Sequence, residues 1–584
     1  MTSSSQARIW KVFPPLPPQV QNEFEIFPKY LSQILYNRGI ADRASAEEYL
    51  EASASLGDPF LLLDMEKTVD RLLKAIDDQE AIAVYGDYDV DGVTATALMV
   101  VALQRMNAKV LRFIPNRFED GYGLNNESIT ILADSGVRVI LTVDCGIRSF
   151  CEADHARKLG VDLIISDHHH PKKELPDAFA VICPKREADP YPYKELAGVG
   201  LAFKIVQAMR LKRPMDFLDL VALGTVADVV PLTGENRVLV RRGIQQIRFG
   251  KRVGIKALAG AAGKEYSRIS ANDIGYILGP RLNAAGRMDS AIKSYDLLVT
   301  ESIDKAGLLA QELDNQNIER QKATRVAQEL AKTNIGEDYN GNLITAFYKV
   351  PIQEDPDGQN GGFLIGEEVY PGIVGLVAAK LTEYFYRPSI VGVVEGEFVR
   401  ASCRSIPEFH ITNALDQCAD LLERHGGHAM AAGFTVHRDQ FSELITRLSS
   451  IADDELGGKG IRQTIKVDLE MDIKEIHPAI YHELEKLQPT GMGNSAASFV
   501  IRGAKILRME LMGKERPQTH LRIWIDGCPI NPAVAFHQAQ WFQTWRESKP
   551  KFDILFSIEI NRFFEKETQQ INIRDMRVSD PSEP

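Results

Sequence analysis

The chain has 584 residues, 44% hydrophobic and 25% charged, and a formal net charge of −12 at pH 7. That length exceeds what one hydrophobic core usually serves, so about three or more domains are expected, and the composition is ordinary for a soluble globular protein. No run of about eighteen apolar residues occurs, which argues against a membrane-spanning helix and a membrane partner.

The opening MTSSSQARIWKVFPPLPP has neither the apolar stretch nor the small-residue cleavage site of a secretory signal, so a cytoplasmic protein is expected. Six cysteines (145, 151, 183, 403, 418 and 528) lie without CxxC spacing, as reduced thiols rather than zinc ligands or a disulfide framework.

Residues 1–60 read as a proline-bearing N-terminal extension with short helices, one of them Ser45–Glu51 with the serine as N-cap. A β/α alternation follows. A helix over Met65–Ile76 leads to the strand Ala81–Tyr85, a glycine turn and a helix from Thr94 to about Met106. Lys109–Ile114, Val137–Val143 and Leu163–Ser166 read as further strands, with a helix over Ser149–Leu159. Short apolar strands separated by helices imply α/β architecture with a parallel, doubly wound sheet.

Between Arg237 and Lys256, Arg241, Arg242, Arg248, Lys251 and Arg252 occur without an acidic residue. This stretch is either a solvated helix face or a basic grip for a nucleic-acid backbone. Ile303 to about Lys332 has helical spacing and reads as a long connecting helix. Strand Leu343–Tyr348 and the glycine-rich loop Asp355–Gly362 open a second α/β domain. After a linker at Gly457–Gly460, alternating patterns such as Phe499–Ile506 and Leu521–Ile525 suggest a small β domain. The expected domains are 1–60, 61–240, 241–335 (helical connector), 336–455 and 460–584.

The chemistry lies at the strand ends. Ala81–Tyr85 runs into Gly86-Asp87-Tyr88-Asp89-Val90-Asp91-Gly92, three carboxylates in five residues whose mutual repulsion is costly unless a cation lies between them. The next buried strands end in Val143-Asp144-Cys145-Gly146 and Ser166-Asp167-His168-His169-His170, and Asp228 is a fourth candidate. Ligands of parallel sheets bind at the carboxyl ends of strands. Asp144 alone would be read as a helix N-cap; together these groups read as a metal site. Oxygen ligands with imidazole and no thiolate suit Mn²⁺ or Mg²⁺, and a pair of ions about 3.5–4 Å apart suits in-line attack on phosphorus.

The segments VYGDYDVDGVTATAL, LTVDCGI, IISDHHHP, ALGTVADVVPL, GPRLNAAGRM, RASCRSIPEFHITNAL, GGHAMAAGF and LQPTGMGN resemble, in order, the DHH phosphoesterase superfamily and within it the bacterial RecJ family. The resemblance implies a DHH domain, a long connecting helix, an α/β DHHA1 domain and a C-terminal OB-like β-barrel. It implies Asp89, Asp91, Asp144, His168 and Asp228 as metal ligands and catalytic groups, with His169 beside or on the metal and Asp87 a ligand or just behind one. The implied activity is two-metal, 5′-to-3′ exonucleolytic hydrolysis of single-stranded DNA with release of 5′-mononucleotides, in repair and recombination. The implied protein is a monomer whose partners would be single-strand-binding protein and a helicase.

In the second lobe, Ser402, Arg404 and Ser405 suit a phosphate. Gly427 and His428 match the DHHA1 signature, and Arg281 and Arg287 could also grip phosphates. Ser402, Arg404 and Arg281 are expected to take the 5′-terminal phosphate. The tail is expected to supply affinity for long strands and little chemistry. Where the family carries Trp-His before a Pro-Gly-Val-Ile-Gly-like run, this chain has Val369-Tyr370, and the tyrosine could stack on a base. Two other readings are a phosphodiesterase for short oligonucleotides or cyclic dinucleotides, and a non-catalytic replication scaffold. The intact acidic motifs weigh against the scaffold.

Overall fold

In a computed structural model of the protein, residues 8–115, 123–211, 213–288, 290–336, 339–349, 364–513, 517–563 and 566–580 are described. The glycine-rich loop Asp355–Gly362 lies outside them. The chain forms two compact units: the first holds Trp10–Gly286, Ser290–Gln311 and Lys466–Pro584, and the second is built mainly on Glu312–Ile465.

The first unit contains an all-parallel sheet of β1 (Ala81–Gly86), β2 (Lys109–Phe113), β3 (Val137–Val143), β4 (Asp162–Ser166) and β5 (Ala180–Ile182), in spatial order β2-β1-β3-β4-β5. The order reverses at β1/β3, and such a switch opens a crevice at the carboxyl ends of those two strands. The helix after β1, α1 (Val90–Arg105), is buried along nearly its whole length, packing on α2 (Gly198–Ala208) and α3 (Leu218–Ala227). Its Ala95, Thr96 and Ala97 are small enough for that central position, each 0% exposed. The sequence places the start of this helix at Thr94. It begins at Val90 because Asp89 caps it, drawing the acidic run into its first turn.

Helices α4 (Gly234–Phe249) and α5 (Gly279–Met288) follow, and then α6 (Ile303–Ile335), whose residues from Glu312 onward belong to the second unit. Four arginines in and beside the basic run, read as either a solvated face or a grip for a nucleic-acid backbone, are engaged within the protein. Arg237, 2% exposed, donates to the carbonyls of Tyr49, Lys486 and Gln488 and lies over the Tyr49 ring. Arg241 donates to Leu50 O, Arg248 to Ile269 O, and Arg252 pairs with Asp219 at 2.7 Å.

The second unit has a six-stranded mixed sheet and α7 (Val374–Phe385). Its strands are β6 (Ile344–Lys349), β7 (Leu364–Glu368), β8 (Ser389–Glu395), β9 (Phe398–Arg404), β10 (Leu422–His428) and β11 (Ala431–His437). Their order is β10-β11-β9-β8-β6-β7. α7 and the Ala327–Ala331 turns of α6 cover one core, and the helix Arg438–Leu456 covers another.

The tail carries a seven-stranded OB-like sheet of β12 (Leu469–Glu470), β13 (Phe499–Ala504), β14 (Ile506–Met512), β15 (His520–Ile525), β16 (Ala533–Ala535), β17 (Phe552–Phe563) and β18 (Lys566–Val578). The alternating pattern read over Phe499–Ile506 is interrupted at Lys505, and the chain there forms β13 and β14. The tail shares one hydrophobic core with Phe24, Leu31, Ile34, Leu35 and Leu50, so the N-terminal extension is part of its packing. The helix there spans Arg43–Glu51, and its cap is Asp42, which accepts from Ser45 N at 2.9 Å, rather than Ser45.

Candidate functional site

β1 hands the chain to α1 through Asp87-Tyr88-Asp89. Gly92 is needed there, since a Cβ would stand 2.5–2.7 Å from Asp87 backbone atoms. Asp89 Oδ1 accepts from Gly92 N at 3.0 Å. One helical step on, Asp91 accepts from the first amides of α2, Gly198 N at 2.6 Å and Val199 N at 2.8 Å. A helix N-terminus suits a carboxylate, and here it fixes the direction of Asp91. At the end of β3, Asp144 adopts a left-handed φ of 65°. Gly198 leaves room for it, because a Cβ there would lie 2.5 Å from Asp144 Cβ. Asp228 terminates α3.

At the end of β4, His168 Nε2 lies 3.1 Å from Asp144 Oδ1, 3.5 Å from Asp228 Oδ2 and 3.9 Å from Asp91 Oδ2. Three overlapping triads have ligand atoms within 4.8 Å of one another: Asp144, His168 and His169; Asp91, His168 and Asp228; and Asp87, Asp89 and Asp144. Asp144 Oδ1 and both ring nitrogens of His168 are buried without a hydrogen-bond partner. Buried polar atoms are normally satisfied, so this convergence of orphans is what a cation would complete.

The electrostatics agree. Burial, and next the neighbouring Asp89 carboxylate, raise Asp91 to about 7. Burial, then Asp91 and Asp89, raise Asp228 to about 9. Burial and adjacent carboxylates push Asp87 and Asp144 well above the usual range. Burial, then His169, lower His168 to about 3, leaving the neutral imidazole that a metal requires.

Three groups that the sequence reading left out support the cluster. Asp167 accepts from Ile147 N at 2.9 Å and from His169 N at 3.0 Å, and contacts His169 Nδ1 at 2.7 Å. Burial works against the charged His169 ring, but the Asp167 contact outweighs it and raises its pKa. Asn283 accepts from Val90 N at 3.1 Å, and a Cβ at Gly286 would stand 2.7 Å from Tyr88 O. GPRLNAAGRM thereby braces the acidic loop. The signal for Asp167 was its place at a strand end, overshadowed by the three histidines after it.

Arg281, in the same unit, donates to Ile277 O at 2.8 Å. In the second unit, Arg287 donates to Gly372 O at 3.2 Å. Ser402 and Arg404 share one face of β9 beside the first turn of α7: Arg404 Nη2 and Ser402 Oγ lie 3.3 and 3.5 Å from where a Cβ on Gly375 would stand. Ser405 is buried and donates to Phe409 O at 2.7 Å, so its proton is committed to a turn. Gly427 has φ +144° and faces Ala432 across the β10/β11 pair, where a Cβ would clash with Ala431 O. His428 is exposed. Tyr370 is 51% exposed, beside the buried Val369.

The chain matches the DHH family N-terminal domain over residues 81–225, the DHHA1 domain over 358–454 and the RecJ OB domain over 467–575. The single-stranded-DNA-specific exonuclease RecJ of Bacillus subtilis is 34% identical over 554 residues, covering 94% of this chain and 68% of that protein. The proteins of that name from Dickeya dadantii and Escherichia coli are 32% and 33% identical, each covering 94% of this chain and, respectively, 96% and 95% of their own length. The crystal structure of Thermus thermophilus RecJ in complex with Mn²⁺ superposes with a TM-score of 0.80 at 26% identity, covering 98% of this chain and 80% of that one.

Proposed function

This chain belongs to the RecJ family, and we propose that it removes nucleotides from the 5′ end of single-stranded DNA, releasing 5′-mononucleotides in a repair and recombination setting. The observation that carries this reading is the set of overlapping triads at the β1/β3 switch, whose inward atoms on Asp144 and His168 have no other partner.

Mn²⁺ or Mg²⁺ is the fitting cofactor, and Asp87, Asp89, Asp91, Asp144, His168 and Asp228 would hold two such ions. When bound, the ions supply a water of lowered pKa and positive charge toward the phosphoryl oxygens. The chain's own residues do the rest. The α2 amides orient Asp91. Asp167 holds His169 through Nδ1 and favours the protonated ring, whose Nε2–H can then donate to a phosphate oxygen. Ser402 and Arg404 receive a phosphate of the strand, and the OB-like tail adds affinity along single strands. The free state of the six cysteines suits a reducing cytoplasm. Among the described residues, no helix is long and apolar enough to cross a membrane.

Digestion of one oligonucleotide labelled at its 5′ or its 3′ end, single-stranded or in a blunt duplex, tests the reading. The 5′ label should appear as a mononucleotide at the earliest times, with the duplex spared. Release beginning at the 3′ end, or equal cutting of duplex and single strand, would overturn it.

A further inference from the structure

We propose that the tail loop Leu487–Asn494 is a positioning element of the metal centre, holding Asp228 in place from a different domain. The inference rests on the functional reading above but assigns a role to a segment that reading leaves to DNA affinity.

After Asp228, Val229 turns the chain with φ +63°. A β-branched residue in that left-handed region is a genuine outlier, disfavoured by the clash of its Cβ with the backbone. Val229 is also 59% exposed, so its own packing does little to hold the turn. Such strain persists only where flanking contacts over-determine it. On one side, Asp228 N donates to Gly224 O at 2.9 Å in α3. On the other, Leu232 N donates to Met492 O at 2.7 Å, a main-chain bond made to the tail loop.

The loop fits closely against this segment. A Cβ on Gly491 would stand 2.7 Å from Leu232 Cδ1, and one on Gly493 would stand 3.1 Å from Pro231 Cβ. Leu232 is only 2% exposed and has little room to yield. The loop is itself held rigid. Asn494, 1% exposed, donates to Leu487 O and Pro489 O and accepts from Arg38 Nε and Tyr49 OH. Arg237 of α4 ties the loop's entry by donating to Lys486 O and Gln488 O, each at 2.9 Å. The stretch between α3 and α4 that carries Asp228 is thus gripped by a loop more than 250 residues away in sequence. Groups that orient metal ligands from behind typically change metal affinity by about 10–100-fold when altered.

Gly491→Ala isolates the effect, because Gly491 is outside the positive-φ region and alanine adds only the methyl aimed at Leu232. Full-length protein stripped with EDTA is titrated with Mn²⁺ by calorimetry, and hydrolysis of single-stranded DNA is measured at saturating Mn²⁺. We expect Gly491→Ala to weaken Mn²⁺ binding about tenfold or more, to leave KM for DNA unchanged, and to be rescued by adding Leu232→Val. Asn494→Asp, nearly isosteric, removes the two bonds that close the loop and should weaken Mn²⁺ binding in the same direction. Unchanged Mn²⁺ affinity in both folded variants, or a raised KM for DNA as their main defect, would overturn the proposal. Wild-type protein that binds no Mn²⁺ would overturn the functional reading beneath it as well.

Discussion

Asp144→Ala and His168→Ala should each reduce kcat for single-stranded DNA by roughly 10³-fold or more while the protein stays folded. Both side chains sit where the triads overlap, and His168 Nε2 is 3.1 Å from Asp144 Oδ1. Removing either withdraws a ligand from more than one triad. The charge stabilisation that bound ions give a phosphoryl group amounts to several kcal/mol. At about 1.4 kcal/mol per decade, losing that much costs three decades or so. Folding should survive, since removing Asp144 relieves a buried carboxylate that burial and its neighbours already force toward protonation. DNA binding, carried by phosphate and base contacts elsewhere, should weaken only modestly. Single-turnover kinetics with a parallel binding isotherm would check this; a variant with near-normal kcat would remove Asp144 or His168 from the centre.

Arg404→Ala should slow cleavage of 5′-phosphorylated DNA by about tenfold to a hundredfold. A metal centre hydrolyses any phosphodiester it reaches, so directionality requires recognition of an end. Ser402 Oγ and Arg404 Nη2 face the first turn of α7 at Gly375, which carries no side chain, and a hydroxyl beside a guanidinium suits an anion. A charge-assisted hydrogen bond contributes roughly 1.5–3 kcal/mol, which is about one to two decades in rate. A substrate ending in a 5′-hydroxyl lacks the anion and should lose far less. Equal losses on the two substrates would show that Arg404 serves some other purpose.

What was legible in the sequence followed from local pattern. Short apolar strands ending in acids placed Asp87, Asp89, Asp91, Asp144 and His168 at one sheet edge, because a parallel strand delivers its last residue to the same end as its neighbours. What was hidden depends on distant partners. Arg237 reads as part of a basic patch, yet its guanidinium is spent on three carbonyls from both ends of the chain. Asn37 bonds Asp468 across 431 positions, a contact with no local signature, and the N-terminal extension thereby joins the tail. Asp167 was given no role because that role, holding His169, belongs to an interaction rather than to a motif position. LQPTGMGN was visible as a run of residues, but its contact with Leu232 beside Asp228 appears only in three dimensions.

On the proposed function, buried carboxylates and an imidazole at the β1/β3 switch hold the ions that hydrolysis needs. The most direct measurement is Mn²⁺ titration of EDTA-stripped protein at about pH 6 and about pH 8.5, following ion binding and single-strand hydrolysis together. Asp91 at about 7 and Asp228 at about 9 lie above the unfolded carboxyl value of about 3.9. Raised carboxyl pKa values favour the metal-free fold below about pH 4, and this advantage is lost as pH climbs through 7 and 9. Since ligands must be deprotonated to bind, Mn²⁺ must displace those protons at pH 6 and fewer of them at pH 8.5. The expected result is no hydrolysis in EDTA, recovery that tracks Mn²⁺ occupancy, and tighter Mn²⁺ binding at the higher pH. Full hydrolysis in EDTA, or Mn²⁺ affinity indifferent to pH across this range, would contradict it.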